Sequence, residues 1–183
     1  MKVIETALPG VVLIQPKVHI DARGFFLETF QRERYESALG RTLDFTQDNH
    51  SRSHQGVLRG LHLQRRHPQA KLLRVTRGAV FDVAVDVDPA SPTFGRWASA
   101  ILSDDNMHQF FVPEGYAHGF QVLSEIVDLE YKCIGNYAPD DESGLIWNDP
   151  EVAIDWPLPE PLLSAKDQHL PTLADWRRQG SRA

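Results

Sequence analysis

Three side chains of this sequence have the right types to move a proton next to a carbonyl group: His62, Lys71 and Tyr131. His62 and Lys71 lie in "GVLRGLHLQRRHPQAKLLRVTRG", Gly56 to Gly78, at strand positions where a sheet would ordinarily bury valine or leucine. A histidine accepts a proton near neutral pH when something holds its ring and stabilises the imidazolium. A lysine ammonium neutralises an oxyanion as it forms. Tyr131, in "IVDLEYKCI", adds a phenol. A base, an oxyanion stabiliser and a phenolic acid can remove a proton beside a ketone and return one to the opposite face. That chemistry is epimerisation through an enolate.

Strand alternation must position these groups. It puts Leu61 and Leu63 on one face and His62 with Gln64 on the other, and it groups Tyr131 with Val127, Leu129 and Cys133. A tyrosine on an apolar face is core by default, although its hydroxyl still needs a polar partner. A lone histidine on a strand is as readily structural as functional. Arg59 has the wrong parity to accompany His62, and a bulge at Gly60 would re-aim it.

The surrounding pattern predicts an all-β fold. Short apolar or alternating runs ("GVVLI", "GFFLETF", "KLLRVT", "AVFDVAVDV", "RWASAIL", "HQFFV", "HGFQVL") are separated by turn-forming segments such as "DARG", "DPASPTFG" and "SDDN". A polar face inside a small barrel implies a ligand cavity. "QRERYESALG" predicts a short helix stopped by Gly40. The proline-rich C-terminal third predicts an irregular wrap anchored by Trp147 and Trp156, with one helical turn near "LADWRRQ" and a solvated end carrying Arg177, Arg178 and Arg182.

At 183 residues the chain is expected to form a single domain, residues 1–183, with a substantial core. A net charge of −6 argues against nucleic-acid binding, so an anionic substrate must be met by locally placed arginines and lysines. One cysteine, Cys133, excludes an intrachain disulfide and suits a reducing compartment. The start "MKVIETALPG" has no apolar leader, and no apolar run is long enough to span a membrane. A cytoplasmic protein without membrane contact is the expectation. His50, His54 and His67 read as loop histidines on a solvated surface, and Asp82, Asp86 and Asp88 as an acidic strand face of undecided role.

"PEGYAHGF" supplies Pro113, Gly115 and His118 as P-x-G-x-x-H, and Gly56 precedes His62 in a glycine-to-histidine segment. Together they resemble the two signature segments of the cupin superfamily, which implies a double-sheet jelly-roll barrel. Where metal-binding cupins carry a second histidine and a glutamate, this chain has Gln64 and Lys71. Transition metals want imidazole and carboxylate donors, and an ammonium repels a divalent cation. The expected pocket is polar and metal-free.

Ordered blocks give a closer likeness. "DARGFFLE", "QDNHSRS", "GVLRGLHLQ", "QAKLLRVTRGAVFDVAVDVD", "VPEGYAHGF", "EYKC", "YAPDDESGLIWNDP" and "LSAKDQ" resemble successive segments of the dTDP-4-dehydrorhamnose 3,5-epimerase family. The resemblance implies conversion of dTDP-4-dehydro-6-deoxy-D-glucose to dTDP-4-dehydro-L-rhamnose, without metal or organic cofactor, by a homodimer whose N-terminal residues reach the neighbouring site. It implies His62 as base, Asp167 as its orienting partner, Tyr131 as proton donor and Lys71 beside the ketone oxygen. It further implies substrate contacts from Arg23, Glu28, Gln47, Asn49, Arg59, His118, Glu142 and Lys166. Leu63 departs from the family, which more often has an aromatic there. The rivals are a single-site 3- or 5-epimerase, a ketoisomerase, a metal-dependent cupin oxygenase and a non-catalytic sugar-binding module.

Overall fold

The computed structural model describes residues 1–180, so Arg182 lies outside the described residues. Among the described residues, one antiparallel sheet runs in the order β1 (Lys2–Glu5), β2 (Val12–Gln15), β10 (Gln109–Val112), β7 (Ala70–Arg77), β12 (Ile126–Ile134) and β5 (Phe45–His54). The second runs β13 (Glu142–Gly144), β6 (Leu58–Gln64), β11 (Tyr116–Val122), β8 (Ala79–Asp86) and β9 (Trp97–Ser103). A separate hairpin pairs β3 (Val18–Asp21) with β4 (Gly24–Leu27). Two antiparallel sheets of this kind, with two short helices, make the jelly-roll architecture that the sequence implied. No helix of the described residues is long and apolar enough to cross a membrane.

The sheets share one core, and alternation decides its membership. Leu73 and Val75 of β7 and Val127 and Leu129 of β12 meet Val80 and Ala84 of β8 and Phe120 and Val122 of β11. Each fully buried leucine, valine or phenylalanine contributes roughly 1.5–3 kcal/mol. The opposite faces are covered too. Leu61, Leu63, Val83 and Val85 pack outward against Leu145, Val152, Leu173 and Trp176 of the C-terminal wrap. Helix α1 (Arg32–Leu39) covers the other sheet with buried Tyr35, whose hydroxyl donates to Gln109 at 2.7 Å. As the sequence predicts, Gly40 ends α1 in the left-handed conformation, at φ 65°.

Several expectations need correction. The longest strand, β5, was not among the predicted runs: "FTQDNHSRSH" is polar on both faces and carries no apolar alternation. His50 and His54 therefore sit on a strand rather than in loops, while His67 is in a turn against Asp141. The C-terminal wrap is irregular as expected, with the Trp156 indole N–H donating to the Trp147 carbonyl at 2.8 Å and its ring edge-on to Phe81. It ends in an eight-residue helix, α2 (Leu173–Gly180), longer than the single turn expected. Arg177 is not simply solvated, since its guanidinium covers the Phe94 ring at 5.2 Å.

Candidate active site

The site is built around an irregularity in β6. His62 pairs with His118 of β11, but Arg59 pairs with Phe120, so β6 carries one more residue than its partner between the two rungs. This is the bulge expected at Gly60, and it changes the parity so that Arg59 joins His62 in lining one cavity. Only glycine serves there. Gly60 has φ +124°, and a Cβ on it would lie 2.5 Å from Gly119 Cα and 2.8 Å from the His118 carbonyl oxygen.

The cavity has a volume of about 540 Å³ and is lined by Arg59, His62, Lys71, His118, Tyr131 and Asp167, among others. A smaller adjoining hollow of about 100 Å³ shares His62, Lys71, Tyr131 and Glu142 and adds Gln47, Asn49 and Cys133. His62 Nε2 lies 2.6 Å from Asp167 Oδ1 although the residues are 105 apart in sequence. A carboxylate can only accept, so Nε2 carries the hydrogen, and in the neutral ring Nδ1 then holds the lone pair. Among the described residues nothing hydrogen-bonds Nδ1, which leaves it available as a base. Burial pushes the Asp167 carboxyl upward, but hydrogen bonds from His62, Ser164 and the Gly60 amide outweigh it and hold its pKa below the ordinary range. Asp167 thus stays ionised beside the imidazole.

Facing the dyad, β7 and β12 present Lys71, Tyr131 and Cys133. Cys133 is the direct neighbour of Lys71 and Gln47 in the sheet, and Tyr131 that of Leu73 and Asn49. Burial pulls the Lys71 pKa below the usual lysine range, against the pull of Cys133, Asp82 and Glu142. Burial also pushes the Tyr131 phenol upward, reinforced by Cys133 and Glu142. The phenol therefore keeps its proton at neutral pH and can donate it. Gln47 donates to Asn49 at 2.9 Å, and Asn49 to the Cys133 thiol at 3.7 Å.

His118 is held by a residue that the sequence left undecided. Its Nε2 donates to Asp82 Oδ1 at 2.8 Å, and both side chains are buried. Burial keeps the His118 pKa low despite Asp82, so the ring is neutral. Among the described residues, the second Asp82 oxygen is buried without a hydrogen-bond partner. Strand parity was the available signal: Asp82 shares its face with Val80 and Ala84 of the core, where an aspartate must have a reason to be. Asp86 is also buried, but it accepts from Ser91 and Thr93 and serves its own loop.

At the mouth, Glu142 joins Lys166 at 2.5 Å and accepts from the Tyr137 hydroxyl at 2.9 Å. Tyr137 and Ser164 line the two hollows and carried no sequence signal, since both lie in irregular segments. Gln64 does not present its amide as a ligand would. It donates to the carbonyls of His67 and Asn136 and accepts from the Ala138 amide, tying loops together. Among the described residues no group of three histidine, cysteine, aspartate or glutamate side chains is placed to hold a metal ion.

The structure does not bring Arg23 and Glu28 to this pocket. Arg23 sits at the tip of the β3–β4 hairpin, 90% exposed and paired with Asp21, and Glu28 pairs with Arg34. Every other expected site residue lines one of the two hollows.

A family model described as dTDP-4-dehydrorhamnose 3,5-epimerase matches residues 5–175. The chain is 51% identical over 176 residues to the dTDP-4-dehydrorhamnose 3,5-epimerase of Pseudomonas aeruginosa, covering 96% of this chain and 97% of the relative. It is 50% identical over 175 residues to the enzyme of the same description from Escherichia coli, covering 94% and 95%. Among solved structures, a dTDP-6-deoxy-D-glucose-3,5-epimerase from Legionella pneumophila in complex with dTDP-4-keto-L-rhamnose superposes with a TM-score of 0.92 at 50% identity, covering 94% of this chain and 93% of that one.

Proposed function

The chain belongs to the dTDP-4-dehydrorhamnose 3,5-epimerase family, and from that membership we propose how its pocket inverts C3 and C5 of dTDP-4-dehydro-6-deoxy-D-glucose to give dTDP-4-dehydro-L-rhamnose. The 4-keto group acidifies the hydrogens on both neighbouring carbons. His62 Nδ1 takes each in turn, releasing the proton to solvent after each inversion so that it is a base again for the next. The Asp167 carboxylate stabilises the imidazolium that forms each time. The electron pair left on carbon delocalises onto O4, where the Lys71 ammonium meets the growing negative charge. Tyr131 returns a proton from the opposite side, inverting the carbon, and its phenolate is reprotonated from solvent. The sequence of steps is redox-neutral, so it needs no electron carrier.

Arg59 and Lys166 meet the diphosphate, for which a guanidinium is geometrically matched. Gln47, Asn49, His118 and Glu142 contact the sugar. Arg23 and Glu28 act in trans, on the site of a second copy, in a homodimer. This assignment is supported by the exposed hairpin that carries Arg23, where Ile20, Phe25 and Phe26 are 81%, 61% and 70% accessible. The single cysteine supports a reducing, cytoplasmic location.

One observation carries the reading: the 2.6 Å contact of His62 with Asp167, in a cavity shared with Lys71 and Tyr131. A positioned general base is worth ~10²–10⁴ in rate. His62→Asn should therefore bring turnover of the keto sugar close to zero while circular dichroism stays unchanged. A folded His62→Asn protein with wild-type turnover would remove His62 from the role of base.

A further inference from the structure

We propose that Ser164 is a positioning residue for this epimerisation, fixing the Asp167 carboxylate so that it can hold His62. The inference rests on the His62–Asp167 assignment above and extends it to the strap that delivers the carboxylate.

Asp167 reaches the site from the irregular C-terminal wrap, so its position is not set by any sheet. The strap is secured at one end where Leu162 forms a parallel bridge with Val57. The Leu58 amide donates to the Leu162 carbonyl at 3.0 Å, and the Leu162 amide to the Gly56 carbonyl at 2.9 Å. These bonds register the strap against the start of β6, the strand that bears His62. Between that anchor and Asp167, the chain must turn inward. Ser164 makes the turn: its Oγ accepts the Asp167 amide at 3.1 Å, and its carbonyl accepts the Gln168 amide at 3.3 Å. The carboxylate that this turn directs inward meets His62 Nε2 at 2.6 Å.

The Asp167 side chain is only 4% exposed, so water cannot replace a missing partner freely. A carboxylate whose rotation about its own bonds is unrestrained meets His62 at varied angles. With the Asp167 amide tied to the Ser164 hydroxyl, the backbone from which the carboxylate projects is fixed and the range of those angles narrows. Alanine at 164 would keep the anchor at Leu162 but lose the hydroxyl's hold on the Asp167 amide. Threonine would keep the hydroxyl.

The test is a double-mutant cycle on the full-length enzyme, using Ser164→Ala, Asp167→Asn and the double variant, with Ser164→Thr as the rescue. Steady-state kinetics with the 4-keto-6-deoxy nucleotide sugar give kcat and KM separately. Small misplacements of catalytic groups cost about ten- to a hundredfold in rate, and a fall in that range is expected in the kcat of Ser164→Ala with KM within about twofold. Ser164→Thr should recover most of it. The double variant should be no slower than Asp167→Asn alone, because the hydroxyl acts only through that carboxylate. The proposal fails if Ser164→Ala raises KM at constant kcat, since the hydroxyl would then touch substrate. It also fails if the two substitutions multiply independently. Those failures leave Asp167→Asn inactive and the dyad intact, whereas a fully active Asp167→Asn would sink the dyad itself and this inference with it.

Discussion

Individual side chains divide by how much their type alone discloses. His62 and Lys71 stood out because each is chemically out of place on an inward strand face. Tyr131, core by default on its apolar face, was singled out by the family resemblance alone. Asp82 obeyed the same logic but was grouped by parity with Asp86 and Asp88, and only the fold separates it, buried against His118, from exposed Asp88. Asp167 has no local signature at all, because its meaning depends on a partner 105 residues away. The perturbed groups make two tests. Lys71 must be charged to meet the enolate, and burial lowers its pKa. Raising the pH through that depressed value removes the ammonium, so kcat should fall before the usual lysine range is reached. Tyr131 is shifted upward and is not the first to be lost. Lys71→Arg, with a guanidinium that never deprotonates, should move the alkaline limb of the pH–kcat profile upward even as it lowers the maximum. An unmoved limb would assign it to another group. Tyr131→Phe removes one hydroxyl with little change of volume. In deuterated solvent it should impair product formation, at C5 above all, more than hydrogen exchange at C3. NMR detects the difference, and an unaltered rate of product formation would remove Tyr131 from the role of acid.

Among the elements, the strands with one apolar face declared themselves and β5 did not. Its inward residues Gln47, Asn49, Ser51 and Ser53 and its outward residues Asp48, His50, Arg52 and His54 are all polar. A strand that lines a polar cavity on one side loses the period-two contrast by which strands are read. The failure thus marks the functional wall of the barrel. β6 shows the reverse case, where a rule-breaking glycine was readable as a bulge. Replacing Gly60 with alanine sets a positive φ and a 2.5 Å contact with Gly119 Cα against the fold. Strained backbone of this kind costs roughly 1–3 kcal/mol, and the urea midpoint should fall accordingly, with activity reduced in the protein that remains folded. An unchanged midpoint would mean that β6 and β11 can separate without cost, contrary to the packing described.

For the molecule as a whole, the single-chain pocket leaves Arg23 and Glu28 elsewhere, and the apolar β3–β4 hairpin stands exposed beside them. The homodimer proposed above would account for both. Phe25→Asp combined with Phe26→Asp should convert a dimer to a monomer in sedimentation velocity and raise KM, because Arg23 would no longer be delivered in trans. A double variant with wild-type mass and wild-type KM would contradict the shared site. The assembly matters less, however, than whether one pocket works on both sides of the ketone. Incubation of the purified protein with the 4-keto-6-deoxy nucleotide sugar in deuterated water, followed by NMR, reads this directly. Deuterium should enter at both C3 and C5, at rates that collapse together in His62→Asn. Label at one carbon only, or at both carbons with His62 replaced, would show that a single imidazole does not serve the two inversions.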